Sequence, residues 1–237
     1  MLDFKNQNKI KMKKVKIFLM AIAFIGFWSC KKIDLKPEFE VKQISFQQAE
    51  LIRAFSGLTD NDESACNVIS DPTEIPDVLC RIIIEAEPGS EIVFLVDHTT
   101  SMTDDINEVK RNINKIIDCL PDGVRLGAAT YGDVADGPVW YTHTPLTEDF
   151  QSIRDYVNGI RLVGGGFDLP ESVYDGIWTT LDIMPWRDCQ SPDKIIVMGD
   201  APPLTGGRST YTLEDVLAKA ESICPDTEFY PVIVLDL

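Results

Sequence analysis

The chain has 237 residues, 44% of them hydrophobic, with 22 basic and 38 acidic side chains and a net charge of −16. Such a length supports one or two domains with a self-sufficient core, and such a hydrophobic content excludes a disordered polyelectrolyte. No apolar run reaches the 18 or so residues of a membrane-spanning helix, and the acidity argues against nucleic acid as a partner. The charge is uneven. Residues 1–29 carry six Lys and one Asp, so residues 30–237 hold 16 basic and 37 acidic groups, a net of −21.

The basic leader Lys5 to Lys16 precedes the uncharged run Ile17 to Ser29, which ends at Cys30. This is the layout of a secretory signal, with Met12 as an alternative start. Phe27-Trp28-Ser29-Cys30 resembles a bacterial lipobox, although Phe and Trp fit its usual pattern loosely. The resemblance implies that Cys30 is lipidated and that the protein is anchored in the cell envelope, at the outer membrane or cell surface. Residues 30–88 then read as a linker or extension, with a short helix over Phe46 to Leu58, turn formers from Asp60 to Pro76, and a strand over Arg81 to Glu85. The remaining cysteines suggest two bridges, Cys66 with Cys80 and Cys189 with Cys224, leaving Cys119 free, although sequence does not fix connectivity.

From residue 89 strands and helices alternate. Ile92 to Val96 is a continuous apolar run, as in a strand buried on both faces. Met102, Ile106, Val109, Ile113, Ile116 and Leu120 recur at helical spacing. Strands follow at Val124 to Tyr131, Val139 to Thr142, Lys194 to Met198 and Phe229 to Leu235. Helices are expected around Ile153, around Ile177, and from the capped start at Thr212. The pattern predicts an α/β fold: a Rossmann-like doubly wound, mostly parallel sheet with helices on both faces, over residues 89–237.

Ligands of such sheets bind beyond the carboxyl ends of the strands. There the sequence places Asp97-x-Thr99-x-Ser101, Asp133, Asp168 with Glu171, and Gly199-Asp200. Carboxylate and hydroxyl oxygens are the donors a hard divalent cation selects. The hydroxyls of Thr99 and Ser101 could instead cap a helix, and Asp104 and Asp105 could simply offset its dipole. His98 reads as a rim residue and His143 as a surface side chain.

Asp97-x-Thr99-x-Ser101 with Asp200 resembles the metal-ion-dependent adhesion site of von Willebrand factor type A domains. Asp168-Leu169-Pro170-Glu171 is similar to the Asp-x-Pro-Glu loop of integrin beta-subunit I-like domains. The resemblance implies that Asp97, Thr99, Ser101, Glu171 and Asp200 hold Mg²⁺ or Mn²⁺, completed by an acidic side chain of a protein partner. It implies an adjacent Ca²⁺ at Asp104 and Asp105, and a further ion at Asp133 and Asp168, where Gly166 replaces a ligating Asn. Arg208 and Tyr211, in and after the loop that follows Asp200, are expected to shape partner binding. The family also has a helix, often with another edge strand, after the strand ending near Leu235. Here the N-terminal segment or a partner would cover that edge, or the chain is a fragment.

The lipobox-like leader and this resemblance together imply a lipid-anchored binding protein rather than an enzyme. Two other readings are a scaffold or assembly protein with a vestigial site, and a Mg²⁺-dependent haloacid-dehalogenase-like phosphatase. The latter requires a second Asp where Thr99 stands.

Overall fold

All seven residues of β2 (Glu91–Asp97) are buried, as expected of a strand covered on both faces. The computed structural model describes residues 45–164, 170–187, 189 and 191–235. Strand β2 lies at the centre of a six-stranded sheet of order β1-β6-β5-β2-β3-β4. It pairs in parallel with β3 (Arg125–Tyr131) and with β5 (Lys194–Gly199). Strand β5 pairs in parallel with β6 (Glu228–Val234), and β6 with the three-residue β1 (Asn67–Ile69). Only β4 (Tyr141–Thr147) is antiparallel, at the far edge.

Helices α2 (Ile75–Ile84), α3 (Thr103–Ile117) and α4 (Phe150–Gly159) cover one face, where Ile82, Ile106, Ile113 and Ile153 pack against Phe94, Leu126 and Ile196. Helices α1 (Phe46–Ser56), α5 (Val173–Ile183) and α6 (Leu213–Ile223) cover the other, where Phe55, Ile177 and Val216 meet Val93, Leu95 and Ile195. The doubly wound α/β architecture is therefore present. Winding reverses between β2 and β5, so the ligand-binding crevice of such a sheet falls beyond Asp97 and Gly199.

Several expectations are corrected. The Ile82-Ile83-Ile84 run is helical, not a strand. Ile75, Leu79, Ile82 and Ile83 form a buried stripe at helical spacing, Pro76 sits in the first turn, and Ile84 faces solvent. Packing of that stripe against α3 overrides the strand preference of isoleucine. The segment expected as a linker or extension supplies α1, β1 and α2 from Ser45 onward. It also covers the edge of β6, through β1.

The cysteine pairing differs as well. Because Cys80 lies on α2, it reaches the end of α3 and bonds Cys119, at a Cα separation of 5.5 Å. Cys66 is left as a half-buried free thiol, and burial pushes its pKa up to about 11. Cys189 and Cys224 do pair, at 5.1 Å. Cys30 and the leader lie outside the described residues, among which no helix is long and apolar enough to cross a membrane.

Candidate functional site

Strand β2 ends on Asp97, whose side chain has no solvent exposure. Its Oδ1 accepts the Thr99 N–H at 2.8 Å, a bond that turns the chain sharply out of the sheet. The turn puts the Thr99 and Ser101 hydroxyl oxygens 3.0 Å apart. Thr99 precedes the 3-10 turn Thr100–Met102 but makes no capping bond to it. Its hydroxyl therefore faces that of Ser101 instead of serving as a cap.

Glu171 lies just before α5 and is buried. Its backbone is tied to the loop after Asp200: its N–H donates to the Pro202 carbonyl at 3.0 Å, and its carbonyl accepts from Leu204 at 2.8 Å. Asp200, at the end of β5, is half-buried. Asp133 follows β3, accepts the Ala135 N–H at 2.8 Å and caps the 3-10 segment Val134–Val139. The buried Ser172 hydroxyl accepts the Val134 N–H at 3.1 Å and so ties this segment to the Glu171 loop.

The acids perturb one another. Burial, then the charge of Asp200, raises the Asp97 pKa to about 7. Burial, then the charges of Asp97, Asp133, Asp136 and Asp200, raises Glu171 to about 8. Asp97 Oδ2 and Glu171 Oε2 are buried and accept no hydrogen bond. Among the described residues no three His, Cys, Asp or Glu side chains converge as a ready-made ligand cluster. The oxygens on offer are instead mixed: two facing hydroxyls and two orphaned carboxylate atoms. Such a hard donor set fits a divalent cation that keeps some of its water.

Beneath the acids lies Tyr131, the last residue of β3. It is fully buried, and its hydroxyl sits 3.4 Å from the Met198 carbonyl. Burial and the charges of Asp97, Asp200 and Glu171 hold its pKa well above the usual value. A side chain on Gly199 would bring Cβ within 2.5 Å of that hydroxyl, which is why a glycine closes β5.

The other predicted residues fall differently. In the first turn of α3, Asp105 is buried and Asp104 exposed. Asp168 lies outside the described residues. His98 is not on the rim: its ring is buried, and a side chain on Gly132 would come within 3.3 Å of its Nε2. His143 is exposed, as expected. Tyr211 stacks on Trp178 at 4.2 Å, so it braces the loop that carries the exposed Arg208. Asp175 braces it too, accepting from the Ser209 hydroxyl at 2.6 Å and the Thr210 N–H at 3.0 Å.

A doubly wound sheet whose acids and hydroxyls gather where the winding reverses defines a class of α/β binding domains. Residues 91–230 match the model of the von Willebrand factor type A domain, and the chain belongs to that family. Among solved structures, the pilus adhesin SpaC of Lactobacillus rhamnosus GG, in its open conformation, is similar at 16% identity and a TM-score of 0.40. The match covers 49% of this chain and 15% of that one. Proximal thread matrix protein 1 of the mussel byssus is similar at 14% identity and a TM-score of 0.47, over 61% of this chain and 38% of its own. This chain thus spans well under two thirds of either protein. No curated protein matches it.

Proposed function

We propose that the protein is a bacterial cell-envelope lipoprotein, anchored through Cys30 at the outer membrane or cell surface, that binds a partner protein through a divalent cation. The observation that carries this reading is the pair of buried, unpartnered carboxylate oxygens of Asp97 and Glu171 beside the facing hydroxyls of Thr99 and Ser101. Uncompensated acids in a buried crevice are costly. A Mg²⁺ or Mn²⁺ ion would offset that cost and retain charge for an incoming carboxylate. Thr99 and Ser101 would contribute hydroxyl oxygens, with Asp97, Glu171 and Asp200 binding directly or through water. Tyr131 and Gly199 fix the depth at which these acids sit. The positive end of α3 faces the same crevice and favours an anionic ligand.

Calorimetric titration of Mg²⁺ and Mn²⁺ into the full chain in detergent tests the cation. Saturable binding that an Asp97→Ala/Asp200→Ala variant loses is the expected result. A folded wild type that binds neither ion overturns this reading and favours a scaffold with a vestigial site. Lipid labelling in cells, lost in Cys30→Ser, tests the anchor.

A further inference from the structure

Beside the crevice a cavity of about 450 Å³ opens between β4, the end of α4 and the segment 160–163. Its wall includes His98, Val139, Tyr156, Ile160, Leu162 and Val163. The wall is continuous with the cation-site turn. His98 lies between Asp97 and Thr99, Val163 bridges Thr99 in parallel strand fashion, and the Val163 N–H donates to the His98 carbonyl at 2.9 Å. Lys110 fixes the far end by donating to the Ile160 carbonyl at 2.7 Å. The cavity is therefore framed by structure already held in place.

We propose that this cavity receives an aromatic side chain of the partner, immediately next to the acidic residue that completes the cation. The acidic half of the motif rests on the function proposed above; the aromatic half rests on the cavity itself. Four considerations favour an aromatic occupant. The space far exceeds an aliphatic side chain and is in the range of sites that enclose flat ligands. Tyr156 contributes an aromatic ring to the wall, and the Arg161 side chain, also on the wall, suits the face of an aromatic ring. Asp155 and Arg161 carry opposite charges on the wall, so the cavity favours neither a cation nor an anion. Val139, on the wall, leaves half its surface exposed, an apolar edge on an otherwise acidic protein. His98 directly adjoins the cation donors Asp97 and Thr99 in the chain, so cavity and cation site are neighbours that adjacent side chains on one extended partner segment can reach.

The test uses N-acetyl-Trp-Asp-amide, N-acetyl-Ser-Asp-amide and N-acetyl-Trp-Asn-amide, titrated into the full chain with Mg²⁺ and followed by calorimetry and by the imidazole NMR signals of His98 and His143. The Trp-Asp probe should bind about ten-fold more tightly than Ser-Asp and should shift His98 but not His143. Gly159→Phe should plug the cavity, since Gly159 lines it and a Cβ added there meets open space beyond its own helix. That variant should abolish the preference for Trp and leave Mg²⁺ binding unchanged. Equal binding of Trp-Asp and Ser-Asp, or a preference that survives Gly159→Phe, overturns the proposal. Trp-Asp and Trp-Asn binding alike would count against the cation, not the cavity. Should Mg²⁺ itself fail to bind, N-acetyl-tryptophanamide against N-acetyl-serinamide decides the cavity alone: a His98 shift with the first only supports it, and none with either overturns it.

Discussion

The two ends of the parallel sheet treat buried acids in opposite ways. At the amino ends of the strands Glu91 is buried, but the guanidinium of its register partner Arg125 binds it, and the Arg187 N–H donates to it at 2.7 Å. In the same layer the buried Lys194 donates at 2.6 Å to both Glu228 and the Tyr230 hydroxyl. At the carboxyl ends Asp97 and Glu171 are as deeply buried, and each keeps an oxygen that accepts no hydrogen bond among the described residues. The floor carries its own counter-charges, whereas at the top burial and neighbouring acids raise the pKa of both groups. One floor residue blurs the contrast. Asp193 keeps an unpartnered oxygen, and burial, then the charge of Glu91, raises its pKa to about 6.

That contrast can be broken most severely from the floor. Arg125→Ala would strand the Glu91 carboxylate in the interior and should cost about 3–5 kcal/mol in urea unfolding. At the top the expected response is to ions and protons. In chelator, Asp193, Asp97 and Glu171 keep their protons up to about pH 6, 7 and 8, whereas the unfolded chain releases them near 3.8 for Asp and 4.5 for Glu. The native state thus holds more protons in this window, and stability should fall as pH rises from about 4 to 8. Mg²⁺ at about 100 times its Kd should restore about 2.7 kcal/mol and flatten the upper part of the curve, leaving the Asp193 portion near pH 6. Thermal melts across pH, with and without Mg²⁺, check both statements; a flat profile in chelator would contradict them.

Smaller effects sharpen the geometry. Gly199→Ala should destabilise by about 1–3 kcal/mol through the Tyr131 hydroxyl, and Tyr131→Phe in the same chain should recover part of that loss. Additive losses in the double variant would mean that the clash is not with that oxygen. Cys66→Ser should shift stability by no more than about 0.5 kcal/mol, because the thiol is free. A large loss would instead mean that the long contact from its Sγ to the Ile52 carbonyl, at 3.9 Å, carries weight.

Sequence patterning made the sheet and the Asp97 turn legible because both are local: a continuous apolar run, then Asp-x-Thr-x-Ser. Non-local facts were not legible. The Ile82–Ile84 run has strand-like residues, and only the wider spacing back to Ile75 betrays a helix. Strand β1 has three residues, too few to show alternation, and its partner lies more than 160 positions away. The Cys80–Cys119 bridge depended on that helix, so one misread element carried its error into the pairing. Tyr131 under the acids is a contact across the sheet, hinted at only by the glycine that closes β5.

The Cys80–Cys119 bond also has a consequence for load. Consider a chain held by its N-terminus while a partner pulls at the carboxyl ends of the strands. Tension entering at Ser45 can peel α1 and β1 and unwind α2 as far as Cys80. There the sulfurs open a second covalent route through Cys119, and Asp97, Thr99 and Ser101 lie inside the loop so closed. Unravelling from the N-terminal side therefore stops at Cys80, and the two arms of the loop share the load that reaches the turn presenting those residues.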